Sequence, residues 1–67
     1  MFVDALLPLP IPRYFTYRVP RQWATLVESG LRIVVPFGTT KVLTAVIVSV
    51  HHQPPKHYQA KYILEIL

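Results

Sequence analysis

Leu31-Arg32-Ile33-Val34-Val35-Pro36-Phe37-Gly38-Thr39-Thr40-Lys41-Val42-Leu43-Thr44-Ala45-Val46-Ile47-Val48-Ser49-Val50 is the stretch that decides the fold. Valine, isoleucine and threonine fill most of it, and β-branched side chains suit a pleated, packed surface better than a helix. Gly38-Thr39-Thr40-Lys41 breaks it with turn chemistry. It therefore reads as two strands, Leu31–Phe37 and Val42–Val50. The second is almost continuously apolar, which implies burial on both faces or a strand bent around a barrel.

Upstream, Arg13-Tyr14-Phe15-Thr16-Tyr17-Arg18-Val19-Pro20 alternates again. Phe15, Tyr17 and Val19 share one face, and Tyr14, Thr16 and Arg18 share the other. Residues 21–28 carry helix formers with an apolar set at Trp23, Leu26 and Val27. They predict one or two helical turns, closed where Gly30 takes a left-handed cap. Phe2–Leu7 fits a first strand. Pro8, Pro10 and Pro12 then enforce an extended connector, whose fillers Leu9 and Ile11 are expected to tuck against the core. His51–Tyr58 reads as a polar loop and Ala60–Leu67 as a last strand. The expected fold is mainly β: one domain, residues 1–67, with about five strands in an OB-like, partly closed barrel and one short helical turn near residues 21–28.

A chain of 67 residues has a core that rarely supplies more than about 3–5 kcal/mol of net stability. The absence of cysteine excludes disulfides and thiolate zinc sites as staples. Hydrophobic residues make up 52% and charged ones 15%, which implies that part of the surface is covered, by a second copy or by the rest of a longer protein. Seven basic residues against three acidic give +4, compatible with a phosphate footprint. Val42–Val50 is too short for a transmembrane helix, which needs about 20 residues. No basic and apolar leader opens the chain, so a cytoplasmic location without membrane contact is the expectation.

Catalytic signals are weak. Asp4, Glu28 and Glu65 lie far apart, and Gly30 and Gly38 do not form a phosphate-cradling loop. His51, His52 and His57 read as loop histidines at a spacing poor for zinc. The rings of Tyr14, Phe15, Tyr17 and Phe37 are either stacking platforms for bases or core. Arg13, Arg18, Arg32, Lys41 and Lys61 are either phosphate contacts or solubilising charge. Cations beside rings on strands suit single-stranded nucleic acid; a small protein-interaction barrel without nucleic acid is the alternative.

One resemblance is specific. Leu-Pro-x-Pro-hydrophobic-Pro-Arg at 7–13, aromatic-Thr-Tyr at 15–17, Val-Pro at 19–20, Gly30, Arg-Ile-Val-Val-Pro-Phe-Gly at 32–38 and the Lys61–Leu67 pattern together resemble the N-terminal end of the primosomal protein N′ (PriA) replication-restart helicases of bacteria. The resemblance spans essentially the whole chain. It implies a domain that binds the 3′ end of the nascent leading strand, as single-stranded or forked DNA. It also implies a pocket for the terminal nucleotide built from Phe15, Thr16, Gly38 and Lys61, with Arg13, Arg18 and Lys41 as candidate phosphate contacts. Thr16 stands where many members of the family carry aspartate, which implies a weakened but retained preference for a free 3′-hydroxyl. The family's ATP-driven 3′–5′ helicase motor and its zinc module lie beyond this chain. The resemblance therefore implies a piece cut short at its C-terminal end, without catalysis, metal or cofactor of its own, docked on the rest of the parent helicase and prone to self-association in isolation. An RNA-binding barrel of the translation apparatus fits the charge but not Val-Pro-Phe-Gly.

Overall fold

In the computed structural model, which describes residues 1–67, the branched stretch forms an antiparallel hairpin. Its arms are β3 (Arg32–Phe37) and β4 (Lys41–His51), paired from Arg32 with Val46 to Phe37 with Lys41. β1 (Phe2–Leu6) pairs antiparallel with the far end of β4, and β2 (Phe15–Arg18) pairs antiparallel with β1. β5 (Glu65–Ile66) pairs antiparallel with β3, so the sheet order is β2-β1-β4-β3-β5. The register of β1 on β4 slips between Asp4 and Ala5, opposite Ser49 and Ile47, leaving Val48 as the extra residue of a bulge.

Two glycines make the turns possible. Gly30 (φ 94°) ends the segment after β2, and Gly38 (φ 66°) opens the β3–β4 turn; both conformations are left-handed and disfavour a Cβ. Between β2 and Gly30 the expected helical turn is a single 3₁₀ turn, Arg21–Trp23. Trp23 and Val27 pack on the core, while Leu26 is exposed. Leu9 of the proline connector also reaches the core, but Ile11 stays exposed.

One face of the sheet is buried. Val3, Ala5, Leu7, Tyr17, Val19, Ile33, Val35, Ala45, Ile47 and Ile63 form the core, with no polar side chain buried among them. The expectation that β4 is covered on both faces is not met. Ala45 and Ile47 point inward, while Val42 and Val46 on the other face are 60% and 38% exposed. No element packs on that outer face to cover them, so the strand's branched residues reflect its β propensity more than burial.

The expected OB-like barrel does not close. The reason lies in the C-terminal segment, which cannot follow either sheet edge for long because it crosses from one to the other. Next to β2, the Arg18 N–H donates to Lys61 O at 2.7 Å and the Ile63 N–H to Arg18 O at 3.0 Å, a single parallel bridge. The chain then moves to β3, where the Leu64 N–H donates to Val34 O at 2.8 Å and the Leu67 N–H to Arg32 O at 3.0 Å. The strand expected over Ala60–Leu67 is thus a strap, with regular strand geometry only at Glu65–Ile66. Ile63 plugs the core beneath it.

Candidate nucleic-acid interface

At the β2 edge, three segments wall a cavity of about 120 Å³: Phe15, Thr16 and Tyr17 of β2; Pro36, Phe37 and Gly38 at the end of β3; and Tyr58, Gln59 and Lys61 leading into the strap. That volume is somewhat smaller than the roughly 150 Å³ of an apolar cavity that admits benzene, so a base would rest at its mouth and not enter it whole. The four residues expected around a terminal nucleotide, Phe15, Thr16, Gly38 and Lys61, all line it.

Strand alternation sets the direction of each β2 side chain. Tyr17 turns inward and is buried, and its hydroxyl donates to Pro36 O at 2.9 Å. Burial, and then the neighbouring Tyr58, push its phenol up to about 12. Phe15 also faces inward but sits at the cavity mouth, edge-to-face with Phe37 at 5.5 Å between ring centroids. The Arg13 guanidinium lies 4.6 Å from the centre of the Phe15 ring. Lys61 Nζ donates to Gly38 O at 2.8 Å across the cavity, leaving two ammonium hydrogens for a ligand. Lys41 is exposed beyond the turn and does not line the cavity, while Arg18 lines the next cleft along.

A Cβ at Gly38 would meet nothing within 4 Å. Gly38→Ala therefore loses stability only through its left-handed backbone, by about 1 kcal/mol, read as a fall in Tm of about 4–8 °C. A fall near zero would mean that the turn relaxes to another conformation.

Thr16 has two engagements. Its N–H donates to the Tyr58 hydroxyl at 2.9 Å, and its own hydroxyl donates to Asp4 Oδ1 at 2.8 Å. His51 Nε2 lies 2.8 Å from the same carboxylate oxygen, and the Ser49 hydroxyl donates to Oδ2 at 3.4 Å. Cross-strand pairing brings these residues together on the outer face, with Asp4 opposite both Thr16 and Ser49. His51 is accordingly the last residue of β4, half-buried and paired, and not the loop histidine expected. Burial raises the Asp4 pKa, but the hydrogen bonds from His51, Thr16 and Ser49 and the charge of His51 outweigh it, so the carboxyl is held below its ordinary value. The folded state therefore holds Asp4 ionised while the unfolded chain takes up the proton first. Stability from this cluster is full above about pH 4 and is lost as pH falls through the lowered value. Asp4→Asn should flatten that acid limb in urea denaturation at pH 7 and pH 3; an unchanged difference between the two would exclude the cluster as its source.

Asp4, Ser49, His51 and Tyr58 escape a reading of the sequence, because their partners are 12 to 47 residues away. Two signals were present. Asp4 is a lone acid at an outward position of an apolar strand. Tyr58 is a lone ring in a polar loop three residues before Lys61.

A five-stranded antiparallel sheet with a small, lysine-capped cavity at one edge and the Arg13 guanidinium against an aromatic ring of its wall has the parts of a small nucleic-acid-binding β-domain. Residues 4–67 match the family model of the PriA 3′ DNA-binding domain (3′BD), and the chain belongs to that family. It is a domain that binds DNA 3′ ends at stalled forks in replication restart; the parent PriA is a helicase. No curated protein matches the chain. No helix is long and apolar enough to cross a membrane.

Proposed function

We propose that the edge cavity holds the 3′-terminal nucleotide of the nascent leading strand, delivering a DNA end to the ATP-driven motor of a parent helicase. One observation carries this reading: Phe15, Thr16, Gly38 and Lys61, drawn from three separate segments, meet around a single cavity. Phe15 stacks the terminal base, and Arg13, already over that ring, covers the base or its phosphate. Gly38 lets the backbone approach closely, and Lys61 donates to a base edge or phosphate.

Thr16 sets the end preference. Its hydrogen is given to Asp4, so its oxygen presents only lone pairs. A free 3′-hydroxyl can donate to that oxygen, whereas a 3′-phosphate offers acceptors and a negative charge near Asp4. Fluorescence titration with matched 3′-hydroxyl and 3′-phosphate oligonucleotides tests this. The hydroxyl end is expected to bind about 2- to 10-fold tighter, the range of one net hydrogen bond. Equal affinities would remove Thr16 from end recognition.

A further inference from the structure

The edge cavity is the first of three clefts with shared walls. Gln59 and Lys61 line both it and a second cleft, which also contains Arg18 and Tyr62. Arg18 and Tyr62 then line a third cleft with Arg21 and His52. We propose that the second and third clefts form one track for single-stranded DNA, leading away from the terminal cavity. Arg18 and Arg21 hold the phosphates there, and Tyr62 stacks a base, of the nucleotides immediately 5′ to the terminal one. The proposal rests on the reading of the cavity given above.

Charge favours this occupant. No acid lines the second or third cleft, and the only ion pair of the chain, His51 with Asp4, lies outside both. Arg18 is held by rings and not by a carboxylate: its guanidinium lies 5.0 Å from the Phe2 ring centre and 5.8 Å from that of Tyr62. No carboxylate pairs with the Arg18 N–H fork, and that fork matches a phosphate bidentately. The Tyr62 ring is 53% exposed on the same wall, and stacking on such a ring accepts any base. The backbone fixes the track in place, since the Arg18 peptide is bonded to Lys61 and Ile63 on both sides. Polarity follows from order: a strand ending beside Phe15 passes Lys61, then Arg18 and Tyr62, then Arg21.

Calorimetric titration with 3′-hydroxyl oligodeoxythymidylates of two and six nucleotides tests the track. The hexanucleotide is expected to bind about tenfold or more tighter than the dinucleotide. Arg21→Gln, in the third cleft, should erode that advantage while leaving dinucleotide affinity unchanged, whereas Arg18→Gln and Tyr62→Ala, within reach of the second nucleotide, should weaken the hexanucleotide more than the dinucleotide. Arg21 and Tyr62 are exposed, so their variants keep the fold even if Arg18→Gln does not. Arg21→Gln should also make the salt dependence of log K shallower by about 0.7, the value of one single-strand phosphate contact. A hexanucleotide bound no tighter than the dinucleotide, or variants without effect on it, would overturn the track and leave the terminal cavity standing. Equal losses for both lengths would overturn it too, assigning these residues to the terminal site. Failure of both oligonucleotides to bind would overturn the cavity reading and the track together.

Discussion

Phe15→Leu is expected to weaken binding of a 3′-ended oligonucleotide by roughly 5- to 150-fold, the equivalent of about 1–3 kcal/mol for one base–ring stack. Leucine is the informative replacement. Phe15 packs against the core and against Phe37, and alanine there would open a cavity in a domain with little stability to lose. Leucine keeps the apolar contact and removes the flat face that a base and the Arg13 guanidinium share. Thermal denaturation of the same variant separates the two effects. A small shift in Tm with a large loss of affinity places Phe15 against the ligand, whereas unchanged affinity would leave it as packing alone.

Ile33→Ala should leave much of the population unfolded at 25 °C. Ile33 has no exposed surface and sits in β3 between its partners on β4 and β5. Truncating such a residue removes about 2–5 kcal/mol, comparable to the roughly 3–5 kcal/mol that a domain of this size holds in total. Val46→Ala on the outer face should shift stability by only about 0.5 kcal/mol, because Val46 is 38% exposed. Circular dichroism and urea titration of the two variants measure the contrast. Similar losses would mean that the outer face is covered in solution.

Much of this fold was legible because the local signals agree. The alternation around β2 puts Tyr17 and Val19 on one face and Tyr14 on the other without saying which is core; in the structure Tyr17 and Val19 are buried and Tyr14 is exposed. Gly30 and Gly38 mark the two left-handed positions. The bounds of β3 and β4 fall within one residue of those expected from composition. β4 misled because apolar composition reports propensity and burial in one signal, and only tertiary context separates them. The C-terminal strap misled because a segment shared between two edges has no period of its own. At the cavity, motif order sufficed to name Phe15, Thr16, Gly38 and Lys61. It could not show that the Thr16 hydroxyl is turned toward Asp4 and His51, since register across three strands decides that contact.

The C-terminal strap bears on exchange kinetics. Two long-range hydrogen bonds, from the Arg18 and Ile63 amides, hold it to β2, and it carries Lys61 into the cavity wall. Two more bonds, from the Leu64 and Leu67 amides, hold it to β3; a segment shared between two edges opens more readily than a continuous ladder, so the Arg18 and Ile63 amides should trade hydrogen for deuterium sooner than those of the β3–β4 hairpin. If Lys61 grips the oligonucleotide as proposed, only the closed form binds it. At a hundredfold excess over Kd it adds about 2.7 kcal/mol to closure, slowing exchange at Arg18 and Ile63 about a hundredfold and leaving the hairpin unaffected. On that proposal, exchange at the strap reports how fully the DNA-end site is occupied.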